Sequence, residues 1–389
     1  MKTLKKVVVL CVVLALVVSA FAGCGNTSTG TSAGTAAAGD TIKIGGTGPL
    51  TGGAATYGNS VKNGATIAVE EINAAGGING VMLELMFEDD EADGAKAKSA
   101  YEKLMDKGMQ MMMGAVTSGA SVALNDLVKA DGILQVTPSA SQAEAAENAN
   151  AFRVCFTDPL QGTEMAKYAY NTLKYTKVAV IYNQDDTYST GMCDAFKAEW
   201  TALGGEIVVD TSFSKDATDF SAQISKVAES NADFVFLPIY AEKAAQIAIE
   251  ANNQKMTLPL IGGDGIDGIL SYLEGDNAKL VEGMIYLTPF VASDSNADVQ
   301  KFVAAYKAAY NAEPDQFAAD AYDAIYCMKA AMEKCDVKAA SDINNEALVA
   351  AMHEIEVVGL TGTMTFDENG DANKGAKVAK IVDGNYVAQ

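Results

Sequence analysis

Histidine and arginine are nearly missing from this chain: His353 and Arg153 are the only residues of their kinds. The single His lies on a polar C-terminal helix with no Ser or Cys motif beside it, and no GxSxG elbow occurs, which removes a Ser-His-Asp hydrolase. Neither HExxH nor a Cys/His cluster is present, which removes the common zinc sites. Basic residues are few: the formal charge is −22, and −25 without Lys2, Lys5 and Lys6. Nucleic-acid phosphates need Lys and Arg, so nucleic acid is excluded as a partner. The acidic surplus is read as surface solubility. Disulfides are not expected either. Of six cysteines, Cys11 and Cys24 belong to the leader, leaving Cys155, Cys193, Cys327 and Cys335. Cys327 and Cys335 sit on one predicted helix, about 12 Å apart at 1.5 Å per residue, too far to bridge. Buried free thiols are expected.

Beyond residue 23 no apolar run is long enough to cross a bilayer. Before it, Lys2, Lys5 and Lys6 form a basic start and Val7–Val18 an apolar core of signal-peptide length. Ala22 and Gly23 precede Cys24, with Phe21 where Leu is usual. The pattern resembles a bacterial lipoprotein signal and predicts cleavage after residue 23, lipidation of Cys24 and an exported, membrane-anchored protein. Residues 24–40, with 25–39 made almost wholly of Gly, Ser, Thr and Ala without charge, read as a flexible tether.

What is abundant is alternation of strand and helix. Strands are predicted at 81–87, 110–113, 133–136, 177–182, 206–211, 233–237 and 258–261. Helices are predicted at 93–107, 119–130, 160–173, 190–203, 219–230, 241–253, 296–311, 316–333 and 345–352. Such alternation makes parallel sheets covered by helices. About 350 residues exceed one core. The fold class is therefore α/β, with two Rossmann-like lobes joined by a three-segment hinge. Lobe 1 is predicted to hold 41–158 and 289–362, and lobe 2 to hold 159–288 and 363–389. Crossovers are placed near Thr157-Asp158-Pro159, at Leu287-Thr288-Pro289 and within 359–366, before a terminal hairpin around Glu368-Asn369-Gly370-Asp371. Ligands of such sheets lie at the carboxyl ends of strands.

The richest stretch is IKIGGTGPLTGGAATYGNSVKNGATIAVEEINAAGGING, residues 42–80. Ile42 and Ile44 suggest a buried strand, Val61, Ala65, Ala68 and Ile72 one apolar helix face, and the segment between them a glycine-broken, uncharged loop. That loop can bring backbone N–H groups to a ligand but cannot perform acid–base chemistry. Gly46-x-Gly48 partly matches a dinucleotide loop, yet the next Gly is four residues on and Pro49 intervenes, so no cofactor is expected. Asp367, Asn369 and Asp371 lack the Gly and Glu of a calcium loop and read as a tight turn. The acidic run Glu88-Asp89-Asp90-Glu91 reads as a solvated strand end before a helix. The other loops at strand ends carry Thr117-Ser118-Gly119, Pro138-Ser139-Ala140-Ser141, Tyr188, Tyr240 and Gly262-Gly263-Asp264-Gly265. Together they outline a site for a zwitterion, with hydroxyls and helix-start amides for a carboxylate and Asp264 for an ammonium.

GPLTGxxAxYG followed by GAxIAxEEINAAGGINGxxLEL, with FRVCFTDPLQG, Asp219-Phe220-Ser221 and GGDG, resembles the amino-acid-binding proteins of branched-chain amino acid ABC transporters, of the type I periplasmic binding fold. The resemblance covers 41–389. It implies that Ser118 holds the ligand carboxylate, that the Ala140 carbonyl meets the ammonium with the Ser141 hydroxyl (usually Thr) beside it, that Tyr57 is the cleft tyrosine of the opening loop, and that Tyr188 and Tyr240 close over the ligand. It also implies that Asp264, often Glu in the family, meets the ammonium. Ser139 is the remaining candidate of that wall. The family's first-lobe disulfide has no counterpart here. The implied function is an ABC importer's receptor, working as one copy with a membrane permease, without enzymatic activity, and binding Leu, Ile, Val or a similar solute. A sensor of amino acids, small amides or urea that informs a signalling partner is the alternative.

Overall fold

The computed structural model describes residues 41–389. The leader, Cys24 and the tether therefore lie outside the described residues. The first sheet is built from β1 (Thr41–Gly48), β2 (Met82–Asp89), β3 (Met111–Met113), β4 (Gln135–Thr137) and β5 (Ala151–Arg153), with α1 (Ala55–Ala74), α2 (Gly94–Asp106) and α3 (Ser118–Asp131) between them. Its strands run parallel in the order β2-β1-β3-β4-β5. The chain then continues through α4 (Asp158–Lys167), β6 (Lys177–Asn183), α5 (Thr187–Ala202), β7 (Glu206–Phe213), α6 (Ser221–Ala228), β8 (Phe234–Leu237), α7 (Ala241–Asn253), β9 (Leu260–Gly262) and β10 (Ile285–Thr288). These strands repeat the same winding, β7-β6-β8-β9-β10. Both sheets thus have a switch point beside their first strand, where loops diverge and leave a crevice.

After β10 the chain returns to the first sheet with α8 (Ala297–Tyr310), α9 (Gln316–Lys334) and α10 (Asn345–Met352), then forms the small pair β11 (Val357–Gly359) and β12 (Gly362–Met364). It crosses back a last time to add β13 (Lys377–Val382) and β14 (Asn385–Ala388), antiparallel, at the edge of the second sheet. Residues 359–366, expected as a crossover, fold instead mainly into the β11–β12 hairpin. The turn at 367–371 is present, closed by Asp367 accepting from the Asn369 and Asp371 amides at 2.8 and 3.0 Å.

Local chemistry explains the boundaries. Asp93 starts α2 by accepting from Ala95 N and Lys96 N, and Thr157 starts α4 by accepting from Leu160 N with Pro159 in the first turn. Gly132, in a left-handed conformation, ends α3. The expected helix 160–173 is interrupted: α4 ends at Lys167 and Tyr168–Thr172 form a wider, π-type turn. The predicted apolar face of α1 is buried at Val61, Ala65, Ala68 and Ile72. Gly64 lets α1 touch α9, since a Cβ there would stand 1.9 Å from the Ala318 carbonyl.

Two expectations need correction. The loop after Ile44 is shorter than the glycines suggested, because β1 runs on to Gly48. A Cβ at Gly46 or Gly48 would collide with Phe87 or Val116, so these glycines serve close packing. The acidic run is not a solvated end. Glu88 pairs with Lys103 and Lys107, Asp89 accepts from Leu50 N and Thr51 Oγ1 at 2.8 and 2.6 Å, and Asp90 is fully buried. The four remaining cysteines are free; three are buried and Cys335 is partly exposed. His353 is exposed at the end of α10, its ring against Phe152. Among the described residues no helix is long and apolar enough to cross a membrane, and no group of three or more potential metal ligands occurs.

Candidate functional site

The carboxyl ends of the two sheets face each other across a nearly closed gap of about 10 Å³. From the first sheet come Tyr57 at the start of α1, Val116 and Thr117 after β3, Ser139 and Ser141 after β4, and Phe317 at the start of α9. From the second come Tyr188 on α5, Tyr240 before α7, and Asp264 and Gly265 after β9. Six of the eight predicted residues thus line one cavity. Ser118 and Ala140 lie just behind it. The Ser118 hydroxyl accepts from Gln142 N at 3.2 Å. The Ala140 carbonyl accepts from Arg153 Nη1 at 3.2 Å. The uncharged loop of residues 49–54 does not reach the gap; from the whole opening motif only Tyr57 does.

The walls are aromatic. Tyr188 and Tyr240 stack with ring centres 4.7 Å apart, and Tyr57 meets Tyr240 at 5.3 Å and Phe317 edge-on at 4.8 Å. The Tyr57 hydroxyl is fully engaged: it donates to Gly265 O and accepts from Ala241 N, both at 2.7 Å. It therefore bridges the two sheets and presents only its ring to the gap. The loop after β4 is rigid for a different reason. Arg153 is buried and donates to Asp371 Oδ1 at 2.7 Å and to the carbonyls of Ala140, Gln142 and Ala143. The chain's only arginine is thus spent on structure, and no Lys or Arg lines the gap among the described residues.

The polar ends are distinct. Thr117 precedes α3, its hydroxyl oxygen is buried without a hydrogen-bond partner, and its side chain does not cap the helix. The first amides of α3 are consequently open to an anion. At the other end Asp264 is 3% exposed, and its Oδ1 has no partner among the described residues. Burial pushes its carboxyl up to about 6. The fully buried Asp158 has only the Ser141 hydroxyl beside its carboxyl. Burial, with the charge of Asp264 nearby, raises that carboxyl well above the ordinary range. Buried carboxylates in this condition call for a cation or a hydrogen-bond donor.

Sequence reasoning named neither Thr117's hydroxyl nor Asp158, Gln161 or Phe317 as site residues. The first stood in a recognised loop. Asp158 and Gln161 lay in a motif read as a boundary. Phe317 had no signal at all, being one more apolar residue in a helix. Gln161 matters because its Oε1 accepts from Asp264 N at 2.8 Å.

Comparison with known proteins identifies the family. Residues 41–385 match the family of periplasmic binding proteins. The Leu/Ile/Val-binding protein BraC3 of Rhizobium johnstonii is 33% identical over 334 residues, covering 85% of this chain and 88% of that one. A leucine-, isoleucine-, valine-, threonine- and alanine-binding protein of Pseudomonas aeruginosa is 28% identical, covering 86% and 88%. The crystal structure of LivJ from Streptococcus pneumoniae in complex with isoleucine superposes with a TM-score of 0.81 at 29% identity, over 90% of this chain and 100% of the other. The leucine-binding protein LivK of Thermotoga maritima gives 0.82 at 29% identity, over 90% and 97%. This chain belongs to the periplasmic binding protein family, as a type I member of its branched-chain amino acid branch.

Proposed function

We propose that this protein is the extracytoplasmic receptor of an ABC importer and captures an amino acid between its two halves. The observation that carries this reading is the pairing of opposite polar ends around one small, otherwise aromatic gap. Asp264 Oδ1, buried and unpartnered, suits an ammonium, and Thr117 with the open start of α3 suits a carboxylate without any basic side chain. Asp158 adds acceptor oxygens near the ammonium end. Tyr188 and Tyr240 cover the ligand from the second half, and Ser139 and Ser141 face it from the first.

Leu, Ile and Val are the ligands favoured by the names of the relatives; the nearly closed gap must widen to admit a solute of that size. In this reading 41–158 with 289–364 and 159–288 with 377–389 are two lobes that close about the three crossings, and the closed form docks on a permease. No residue of the site is disposed for turnover. The lipid anchor at Cys24 completes the picture; a mature protein that mass spectrometry finds without acyl chains on its first residue would remove it.

Asp264→Ala is the decisive variant. Loss of an ammonium's buried partner should cost on the order of 3 kcal/mol or more, which takes micromolar affinity out of the range of calorimetry. Unchanged affinity for Leu, Ile and Val in that variant would show that Asp264 does not hold the ammonium.

A further inference from the structure

The turn after β9, residues 264–267, is gripped from both sheets at once. Its own half holds the amides: Asp264 N donates to Gln161 Oε1 at 2.8 Å, and Gly265 N to the Tyr188 hydroxyl at 2.9 Å. The opposite half holds the carbonyls. Gln316 Nε2, from the first turn of α9, donates to Asp264 O at 3.0 Å, and the Tyr57 hydroxyl donates to Gly265 O at 2.7 Å. Gln316 N also donates to Asp267 Oδ2 at 3.1 Å. All of these groups are buried, Gln316 itself at 1% exposure. Gln316 does not line the gap. Its side chain reaches the site only through the backbone of Asp264.

We propose that Gln316 is a positioning residue for Asp264, which it aims at the ligand ammonium only when the two halves are shut. The proposal rests on the amino-acid reading above. α9 offers no charged side chain to the gap, yet through Gln316 it controls the peptide that carries the acid. In an open form Gln316 Nε2 and the Asp264 carbonyl would each face water, and the turn would keep only the two holds from its own half. Closure then completes the hydrogen bonding of the turn and fixes the carboxyl together. Because a carbonyl left unmade in a dry seam costs more than one never desolvated, the bond favours the closed, correctly aimed state.

The test uses Gln316→Met, which keeps length and burial but cannot donate, and Gln316→Leu, which is likewise apolar and cannot donate. Each is titrated with whichever of Leu, Ile and Val binds wild type best, and by competition with its 2-hydroxy acid analogue, which lacks the ammonium. Both variants should bind the amino acid about 5- to 50-fold more weakly, chiefly through faster release, with ligand-free melting temperatures near wild type. The preference for the amino acid over the hydroxy acid should narrow by a similar factor. Equal weakening toward both ligands would make Gln316 a plain seam contact and overturn the proposal, as would wild-type affinity in both variants. A wild-type protein that binds none of the three amino acids would instead overturn the functional reading beneath it.

Discussion

Asp90 shows how one residue can carry a penalty that the fold tolerates. It follows β2, where its Oδ1 accepts from Ala92 N at 2.9 Å, while its Oδ2 is buried with the Thr47 hydroxyl beside it. Burial pushes its carboxyl up to about 6. A folded value above the unfolded one, near 3.9, means that the charged form is the costly one. The penalty is absent below about pH 4, grows through pH 6 and is complete at pH 7 to 8. Asp90→Asn keeps the Ala92 bond and offers a donor toward Thr47. It should raise stability by about 1–3 kcal/mol at pH 8, with the gain fading toward pH 4, as denaturant melts at both pH values will reveal. A variant that is less stable than wild type at pH 8 would contradict this account. Asp90 was read from sequence as part of a solvated acidic run. Composition shows four acids in a row but not that one of them turns inward, because the pleat of the strand end decides that.

At the scale of elements, long periodic segments were legible and short buried ones were not. The bounds of α7 and α10 agree with the helical spacing to the residue. By contrast β5 is only Ala151-Phe152-Arg153 and wholly buried, too short to show a period of two. β10 ends at the crossing expected near 287–289, and β13 and β14 were missed although Lys377–Val382 alternates and Asp383-Gly384, both at positive φ, make the two-residue turn of a hairpin. Glycine was the most misleading letter. It was read as loop in β1, where it lets neighbours approach. Gly64 makes the same point quantitatively. In an exposed helix interior Gly→Ala stabilises by about 1 kcal/mol. Here the added methyl would press on the Ala318 carbonyl of α9, and backbone cannot swing aside as a side chain can. Gly64→Ala should therefore destabilise by about 1–3 kcal/mol, visible as a lower melting temperature. A stabilised variant would mean that α1 and α9 are not in close contact.

The whole molecule joins its halves through carboxyl groups as well as tyrosines. Asp267, from the turn after β9, and Asp315, which caps α9, meet at the seam behind the site and line one cavity. Asp267 accepts from Gly268 N and Gln316 N and faces the Tyr286 hydroxyl of β10; Asp315 accepts from Ala318 N and the Ser60 hydroxyl. Tyr386 of β14, Tyr306 of α8, Glu313, Asn385, Thr56, Ser271 and Ser293 add to the polar lining, and no Lys or Arg lines it among the described residues. Burial, and for Asp267 the neighbouring charge of Asp315, raises both carboxyls above their ordinary range. In the proposed hinge, opening hydrates the pair and lets both ionise, whereas closing favours a proton held between them. Closure, and with it ligand affinity, should then weaken as the pH rises above neutrality. Asp264 works in the opposite direction: it must be ionised to hold an ammonium, and with its carboxyl near 6 in the ligand-free site, affinity should fall as the pH drops below about 6. The product is a bell-shaped dependence of affinity on pH, with a maximum near neutrality. Asp267→Asn should flatten the alkaline side and leave the acid side in place, because it removes the charge that resists closure but not the ammonium's partner. Calorimetric titrations from pH 5 to pH 9, in buffers of differing ionisation enthalpy, measure both the affinity and the protons taken up on binding. An alkaline limb that persists unchanged in Asp267→Asn would show that the seam closes without a proton.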